Sequence, residues 1–175
     1  HIIIKKKITN FRKKIFVSGD KSISIRWVLF ASIASGISKA RNLLISEDVL
    51  AAINIIKKFG IKVVHKKGLF KIFGKGIDGY KFRKNTVINA GNSATLGRLI
   101  LGLIINSTKT IKLVGDKSLS RRDFKRVASP LSKFGAKFKL EKNFTLPLTI
   151  KGSKNIRSIK YNETRGSAQC KSWLL

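Results

Sequence analysis

The chain repeats itself, and that repeat constrains its fold more than any other feature. Lys58-Phe59-Gly60 and Lys133-Phe134-Gly135 stand 75 residues apart, and Lys75-Gly76 and Lys151-Gly152 stand 76 apart. The same order of elements surrounds both sets of landmarks. From Ile15 it reads strand (Ile15 to Val17), helix (Ser22 to Ser35), strand (Lys39 to Leu44), helix (Glu47 to Phe59) and two strands (Ile61 to His65, Leu69 to Phe73). From Val87 it reads strand (to Asn89), helix (Ser93 to Asn106), strand (Thr110 to Val114), helix (Arg121 to Phe134) and two strands (Ala136 to Leu140, Leu146 to Ile150). Alternating elements occur in any α/β chain, but landmarks at a near-constant offset predict repeated βαβαββ units. A third copy begins at Ser158-Ile159-Lys160-Tyr161, with its first helix opening near Ser167.

The helical signals are local and physical. In the second helix Val49, Ala52, Ile53, Ile56 and Phe59 form one apolar stripe, with Glu47, Asn54 and Lys58 opposite. Ser46 is placed as its N-cap, two acids occupy its first turn, and Gly60 ends it. Leu96, Leu99, Ile100 and Leu103 give the following helix its face. Pro130 predicts a bend in the fourth helix.

Charge and composition exclude several classes. The chain has 175 residues and a formal net charge of +30, from 38 Lys and Arg against 8 Asp and Glu. Such a charge suggests polyanion binding. The lysines are scattered through every segment, however, and no zinc-finger spacing, aromatic RNA-binding box or basic helical stripe accompanies them. They read as solvated faces, with no specific nucleic-acid partner. The longest apolar run, Leu99 to Ile105, is too short to span a membrane and follows Arg98 directly. One Cys cannot form an internal disulfide and suits a reducing cytoplasm; two isolated His, His1 and His65, give no metal site. Met is absent, even at position 1, and Ser172-Trp173-Leu174-Leu175 reads as a helix cut short. The expectation is a piece of a longer protein.

Four stretches have the chemistry to hold anions. Gly19-Asp20-Lys21-Ser22-Ile23-Ser24-Ile25-Arg26 places a Gly, two cations and two hydroxyls where a helix opens, and helix N-termini favour anions. A capped helix with a solvated charged end fits the same residues equally well. Asn89-Ala90-Gly91-Asn92-Ser93-Ala94-Thr95-Leu96-Gly97-Arg98 is a small-residue turn entering a helix, as any tight strand-to-helix turn is. Gly115-Asp116-Lys117-Ser118-Leu119-Ser120-Arg121-Arg122 is a turn, a cap and two cations, or simply a solvated basic helix start. Ser167-Ala168-Gln169-Cys170-Lys171-Ser172, taken alone, is an ordinary polar helix start.

Together and in this order, the four resemble the 5-enolpyruvylshikimate-3-phosphate synthase family over nearly the whole chain. The first resembles its GDKSISHR signature, with Ile25 in place of His and Ser18 in place of a common Pro. Asn92 to Arg98 resembles its G-N-x-x-T-x-x-R turn, Gly115 to Arg122 its G-D-x-S-L-S-x-R stretch, and Ser167 to Ser172 its S-A-Q-x-K-S motif. Ser46-Glu47-Asp48-Val49 also looks like the family's segment. Further departures are Asp123, where Pro usually follows the Arg, and Thr164-Arg165-Gly166 before Ser167. Asp123 beside Arg122 bears on how freely that Arg faces an anion.

The resemblance implies an inside-out α/β barrel of enolpyruvyl transferase type, two similar domains each of three βαβαββ units. Residues 1–14 would be the leading strand of the other, C-terminal domain. Residues 15–175 would be the first domain, incomplete, with units at about 15–76, 86–152 and a truncated 158–175. The implied reaction adds the 5-hydroxyl of shikimate 3-phosphate to C2 of phosphoenolpyruvate, with protonation at C3, and phosphate then leaves the tetrahedral intermediate. Lys21, Ser22, Arg26, Ser167, Ala168 and Gln169 would hold shikimate 3-phosphate. Lys21, Asn92, Ala94, Arg122 and Gln169 would hold phosphoenolpyruvate. No metal or organic cofactor is implied. The acid–base residues, an Asp, a Lys and a Glu, would lie in the missing domain of the same chain, so this piece alone would be inactive; the full-length protein would be a cytoplasmic monomer.

Two alternatives stand beside this one. The related transferase acting on UDP-N-acetylglucosamine would need a Lys-Asn pair and a reactive Cys loop, but the chain has Lys21-Ser22, and Cys170 sits elsewhere. A basic nucleic-acid-binding module is permitted by the charge and supported by no motif. Within the resemblance, Ala94 stands where most members have Gly. Its methyl group is expected to penalise the longer inhibitor glyphosate more than phosphoenolpyruvate.

Overall fold

Residues 3, 5, 10, 12, 14–162, 166–167 and 171–172 are described by a computed structural model of the chain. The elements run α1 (Lys21–Ile33), β1 (Ser35–Arg41), α2 (Glu47–Lys58), β2 (Lys62–Lys66), β3 (Leu69–Lys75), β4 (Thr86–Asn89), α3 (Ala94–Leu103) and β5 (Thr110–Val114). Then come a 3-10 turn at Leu119–Arg121, α4 (Lys125–Lys133), β6 (Lys137–Leu140), a second 3-10 turn at Lys142–Phe144 and β7 (Leu148–Lys151).

The repeat is visible in the sheets. One has the order β1-β3-β2 and the other β4-β5-β7-β6. With β4 set aside the two orders coincide, and even the ladder ends match, Ser35 facing Lys75 in the first and Thr110 facing Lys151 in the second. In each unit the last strand lies antiparallel between its two neighbours. β4 and β5 are parallel, and α3 is the crossover between them.

Each element forms for reasons its residues state. α2 buries Val49, Ala52, Ile53, Ile55 and Ile56, with Glu47 and Asp48 in its first turn and Lys57 and Lys58 in its last. Gly60, at φ +85°, ends it, and the Ile61 N–H donates to the Ile56 carbonyl. The β2–β3 hairpin turns on Lys67-Gly68, both at positive φ as a tight twisted turn requires. Phe59, Tyr80 and Phe82 stack edge-on at 4.9–6.0 Å where the linker crosses from one unit to the next. The Tyr80 hydroxyl is hydrogen-bonded to Ser32 of α1. Lys39, Lys62, Lys66, Lys112, Lys137, Lys139 and Lys151 all lie exposed on the strands, which carry no carboxylate. Among the described residues no helix is long and apolar enough to cross a membrane.

Four expectations are corrected. Ile15 to Val17 forms no strand: its residues are 69–88% exposed, and Val17 is held by one hydrogen bond from Asn42 to its carbonyl. β4, in the equivalent place, buries Thr86 and Ile88 and so gains enough to order a ladder. β1 starts four residues earlier than expected and stops at Arg41, because Asn42 takes φ +57°. The helix expected from Arg121 begins at Lys125, since the Phe124 N–H is taken by the Phe144 carbonyl and not by a preceding helical turn. Residues 158–161 form no strand, although Lys171 and Ser172 are helical and the Lys171 N–H donates to the Ser167 carbonyl. α4 runs through Pro130, whose ring is buried. Ser46 occupies the N-cap position of α2, but its side chain makes no capping hydrogen bond.

Candidate anion-binding cleft

The loops that follow β4 and β5 meet at the C-terminal ends of these parallel strands, where open α/β sheets place their ligands. They are tied together: the Ala90 N–H donates to the Val114 carbonyl and the Asp116 N–H to the Gly91 carbonyl, each at 2.9 Å. A Cβ on Gly115 would lie 3.0 Å from the Gly91 carbonyl oxygen and 2.6 Å from the Leu119 side chain, so a side chain there would crowd the approach of the two loops. Asp116 caps the 3-10 turn by accepting from the Leu119 N–H at 2.7 Å, and Arg122 leaves that turn exposed. Ser93 caps α3, accepting from the Leu96 N–H at 3.3 Å, which places Ala94 and Thr95 in the first turn. One turn on, Arg98 is 5% exposed, its guanidinium 5.8 Å above the Phe124 ring.

The first unit brings its helix starts to the same place. Asp20 caps α1 through the Ile23 N–H at 2.7 Å, so Lys21 is its first residue. Ser24 donates to the Asp20 carbonyl at 2.7 Å and accepts from the Leu44 N–H at 3.0 Å, fastening α1 to the loop that leads into α2. The Lys21 ammonium lies 3.2 Å from Asp48, in the first turn of α2. Lys21, Asp48, Asn92, Ala94, Thr95, Arg98 and Arg122 line one cleft of about 280 Å³. Three cations face one carboxylate there, at the N-termini of three helices of ten residues or more. Such a cleft favours a small anion. A larger groove, of about 490 Å³, is lined mainly by the C-terminal halves of α1, α3 and α4, the helix ends that disfavour anions.

On the other flank of α1, Arg26 donates from Nε to the Ser172 hydroxyl at 3.3 Å and from its guanidinium to the Ser22 carbonyl at 3.3 Å. Arg26 and Ser172 are thus neighbours across 146 residues of sequence.

A sequence model of the family described as EPSP synthase (3-phosphoshikimate 1-carboxyvinyltransferase) matches residues 5–175. The chain belongs to the EPSP synthase family. It is 38% identical over 173 residues to the 3-phosphoshikimate 1-carboxyvinyltransferase of Streptococcus suis, covering 98% of this chain and 40% of that protein. It is 39% identical over 171 residues to that of a Sulfurihydrogenibium species, covering 97% and 39%. The solved EPSP synthase of Acinetobacter baumannii superimposes with a TM-score of 0.86 at 34% identity, covering 93% of this chain and 37% of that one. The chain therefore spans about 40% of the length of the curated relatives it matches.

Against the family motifs, the structure brings Lys21, Asn92, Ala94 and Arg122 to one cleft, and Arg26, which also holds the Ser22 carbonyl, to Ser172. Ala168 and Gln169 lie outside the described residues. The Ser24 hydroxyl, offered by the sequence as an anion donor, is 2% exposed and belongs to the scaffold. Asp123 does not turn on Arg122: its carboxylate accepts from the Lys125 N–H at 2.6 Å, at the start of α4. Thr95 and Arg98, the Thr and Arg of the G-N-x-x-T-x-x-R turn, and Asp48, of the Ser46 to Val49 segment, join the cleft without having been assigned a site role from the sequence. The spacing held a signal for two of them, since Arg98 stands at i+4 from Ala94 and at i+3 from Thr95 once the helix starts at Ala94. Asp48 read as an acid suited to a helix start, within a segment that looks like the family's.

Proposed function

We propose that this chain supplies one wall of the site at which a longer protein transfers the enolpyruvyl group of phosphoenolpyruvate to the 5-hydroxyl of shikimate 3-phosphate, releasing phosphate. The observation that carries the reading is the cleft itself. Lys21, Asn92 with Ala94, and Arg122 come from three separated stretches, and they converge on one space sized and charged for a small anion. In this reading Lys21 touches both substrates, and Ser22, Arg26 and Ser167, with Ala168 and Gln169, hold shikimate 3-phosphate. Asn92, Ala94 and Arg122, with Gln169, hold phosphoenolpyruvate. Fixed cations and helix N-termini bind the phosphate and carboxylate groups and stabilise the charge that develops as phosphate leaves. The acid–base groups come from the rest of the protein. Residues 1–14 pair with that second domain, and residues 15–175 form most of the first, with its third unit opening at about residue 158. A cytoplasmic, monomeric enzyme without a cofactor is part of the same proposal.

The test uses the full-length protein that carries this chain, with phosphate release as the readout. Both substrates together should give turnover, and Arg122→Ala should lower kcat/KM by roughly a hundredfold or more. Turnover with UDP-N-acetylglucosamine and none with shikimate 3-phosphate overturns the assignment.

A further inference from the structure

The Lys21–Asp48 pair adds a residue to this site. We propose that Asp48 is a positioning residue for the transfer, holding the Lys21 ammonium at the meeting point of α1, α2 and α3; the proposal rests on the function proposed above. Asp48 cannot itself hold an anionic substrate, because an ionised carboxylate only accepts hydrogen bonds and repels negative charge. What it can do is fix a cation. Its carboxylate lies in the first turn of α2, at the positive end of the helix dipole. Its side chain is 18% exposed, against 54% for Lys21, so the acid is part of the wall and the ammonium is the group that needs holding.

The scaffold sets the distance between them. Ser24 fastens the start of α1 to Leu44, two residues before the N-cap of α2, and the Asp20 cap fixes where Lys21 leaves the helix. A lysine stem otherwise loses much rotamer freedom when a ligand localises it. At 3.2 Å the ion pair removes that freedom beforehand. Asp48 also offsets one of the three positive charges of the cleft, so Lys21, Arg98 and Arg122 can share 280 Å³ before any substrate arrives.

The experiment is steady-state kinetics of the full-length protein with Asp48→Asn, Asp48→Glu, Lys21→Ala and the Lys21→Ala/Asp48→Asn double variant. Asp48→Asn should lower kcat by roughly ten- to a hundredfold, because a misplaced group costs that much. KM for phosphoenolpyruvate should stay nearly level, since the negative charge that leaves the cleft offsets the rotamer freedom that Lys21 regains. A purely structural role would not produce this split. Asp48→Glu, which keeps the charge, should recover part of the loss. In the Lys21→Ala background Asp48→Asn should cost nothing further. An unaltered kcat in Asp48→Asn, or losses that multiply with Lys21→Ala, overturns the positioning role while leaving the function intact. A wild-type protein without phosphate release overturns the function and this role together.

Discussion

Two glycine-to-alanine changes should act in opposite directions. Gly19 precedes the Asp20 cap, and a Cβ built there lies 2.0 Å from the Asn42 carbonyl oxygen and 3.0 Å from the Leu44 nitrogen. Both neighbours are backbone, so the start of α1 or the 42–44 loop must give way by about 1 Å, and forced overpacking of this kind costs ~1–3 kcal/mol. Displacing the cap adds ~1 kcal/mol. Gly97 sits inside α3, and its Cβ would meet the Phe124 ring at 3.4 and 3.5 Å and Ala90 at 3.6 Å, ordinary contact distances. There alanine removes the backbone entropy that glycine costs a helix and should stabilise by up to ~1 kcal/mol. Urea unfolding of the full-length protein, followed by a probe in this domain, measures both. With a denaturant dependence of ~2 kcal/mol per molar, Gly19→Ala should lower the midpoint by about 1–2 M and Gly97→Ala should hold or raise it. A wild-type midpoint for Gly19→Ala, or an equal loss for Gly97→Ala, would refute the account of why the chain has glycine at 19.

Three further outcomes follow from particular residues. Burial pushes the Tyr80 hydroxyl from 10 up to about 12, with the Ser32 hydrogen bond opposing. The unfolded chain therefore loses this proton first, and stability should fall by about 2–3 kcal/mol between pH 10 and 12; Tyr80→Phe should lack that part of the slope in paired urea titrations. Ala94 lines the cleft, so Ala94→Gly should make the full-length enzyme ten- to a hundredfold more sensitive to glyphosate, from ~1–3 kcal/mol of relieved overpacking; equal inhibition of both forms at one phosphoenolpyruvate concentration would count against it. On the proposed function the isolated 175-residue chain supplies one wall of the site and should release no phosphate from the two substrates; measurable release by the purified chain would show that the chemistry sits here.

What was legible in the sequence was whatever a single residue or a period decides. The Lys-Phe-Gly landmarks marked two helix ends that the structure places at Lys58 and Lys133, and the repeated order became two sheets whose strand orders match once β4 is set aside. The α2 stripe was readable because side-chain burial follows helical spacing. The strand at Ile15 to Val17 was not, because three apolar residues satisfy the pattern whether or not anything covers them. Nor was the start of α4, which is set by a hydrogen bond between Phe124 and Phe144, twenty residues on, that no local pattern encodes. The cleft divided in the same way. Its cations stood in motifs, whereas Asp48 belongs to it only because α1 and α2 start side by side.

The octapeptide Gly19 to Arg26 shows why a motif carries more than its ligand contacts. Gly19 is there for the close approach to Asn42, Asp20 for the cap, and Ser24 for the tie to Leu44. Ile25, the departure from the His of the signature, is fully buried. At such a position an imidazole would need a hydrogen-bond partner, and an aliphatic side chain needs none, so the exchange can leave the fold intact without an unsatisfied polar group. Half of the stretch is thus explained by the scaffold, and Lys21, Ser22 and Arg26 remain as the residues whose chemistry faces outward. Asp123 obeys the same logic in the second unit, since its carboxylate engages the Lys125 N–H that opens α4. Departures that fall on scaffold positions can be absorbed by packing or capping. A change at Lys21 or Arg122 has no such remedy, because nothing in the fold replaces a cation aimed into the cleft.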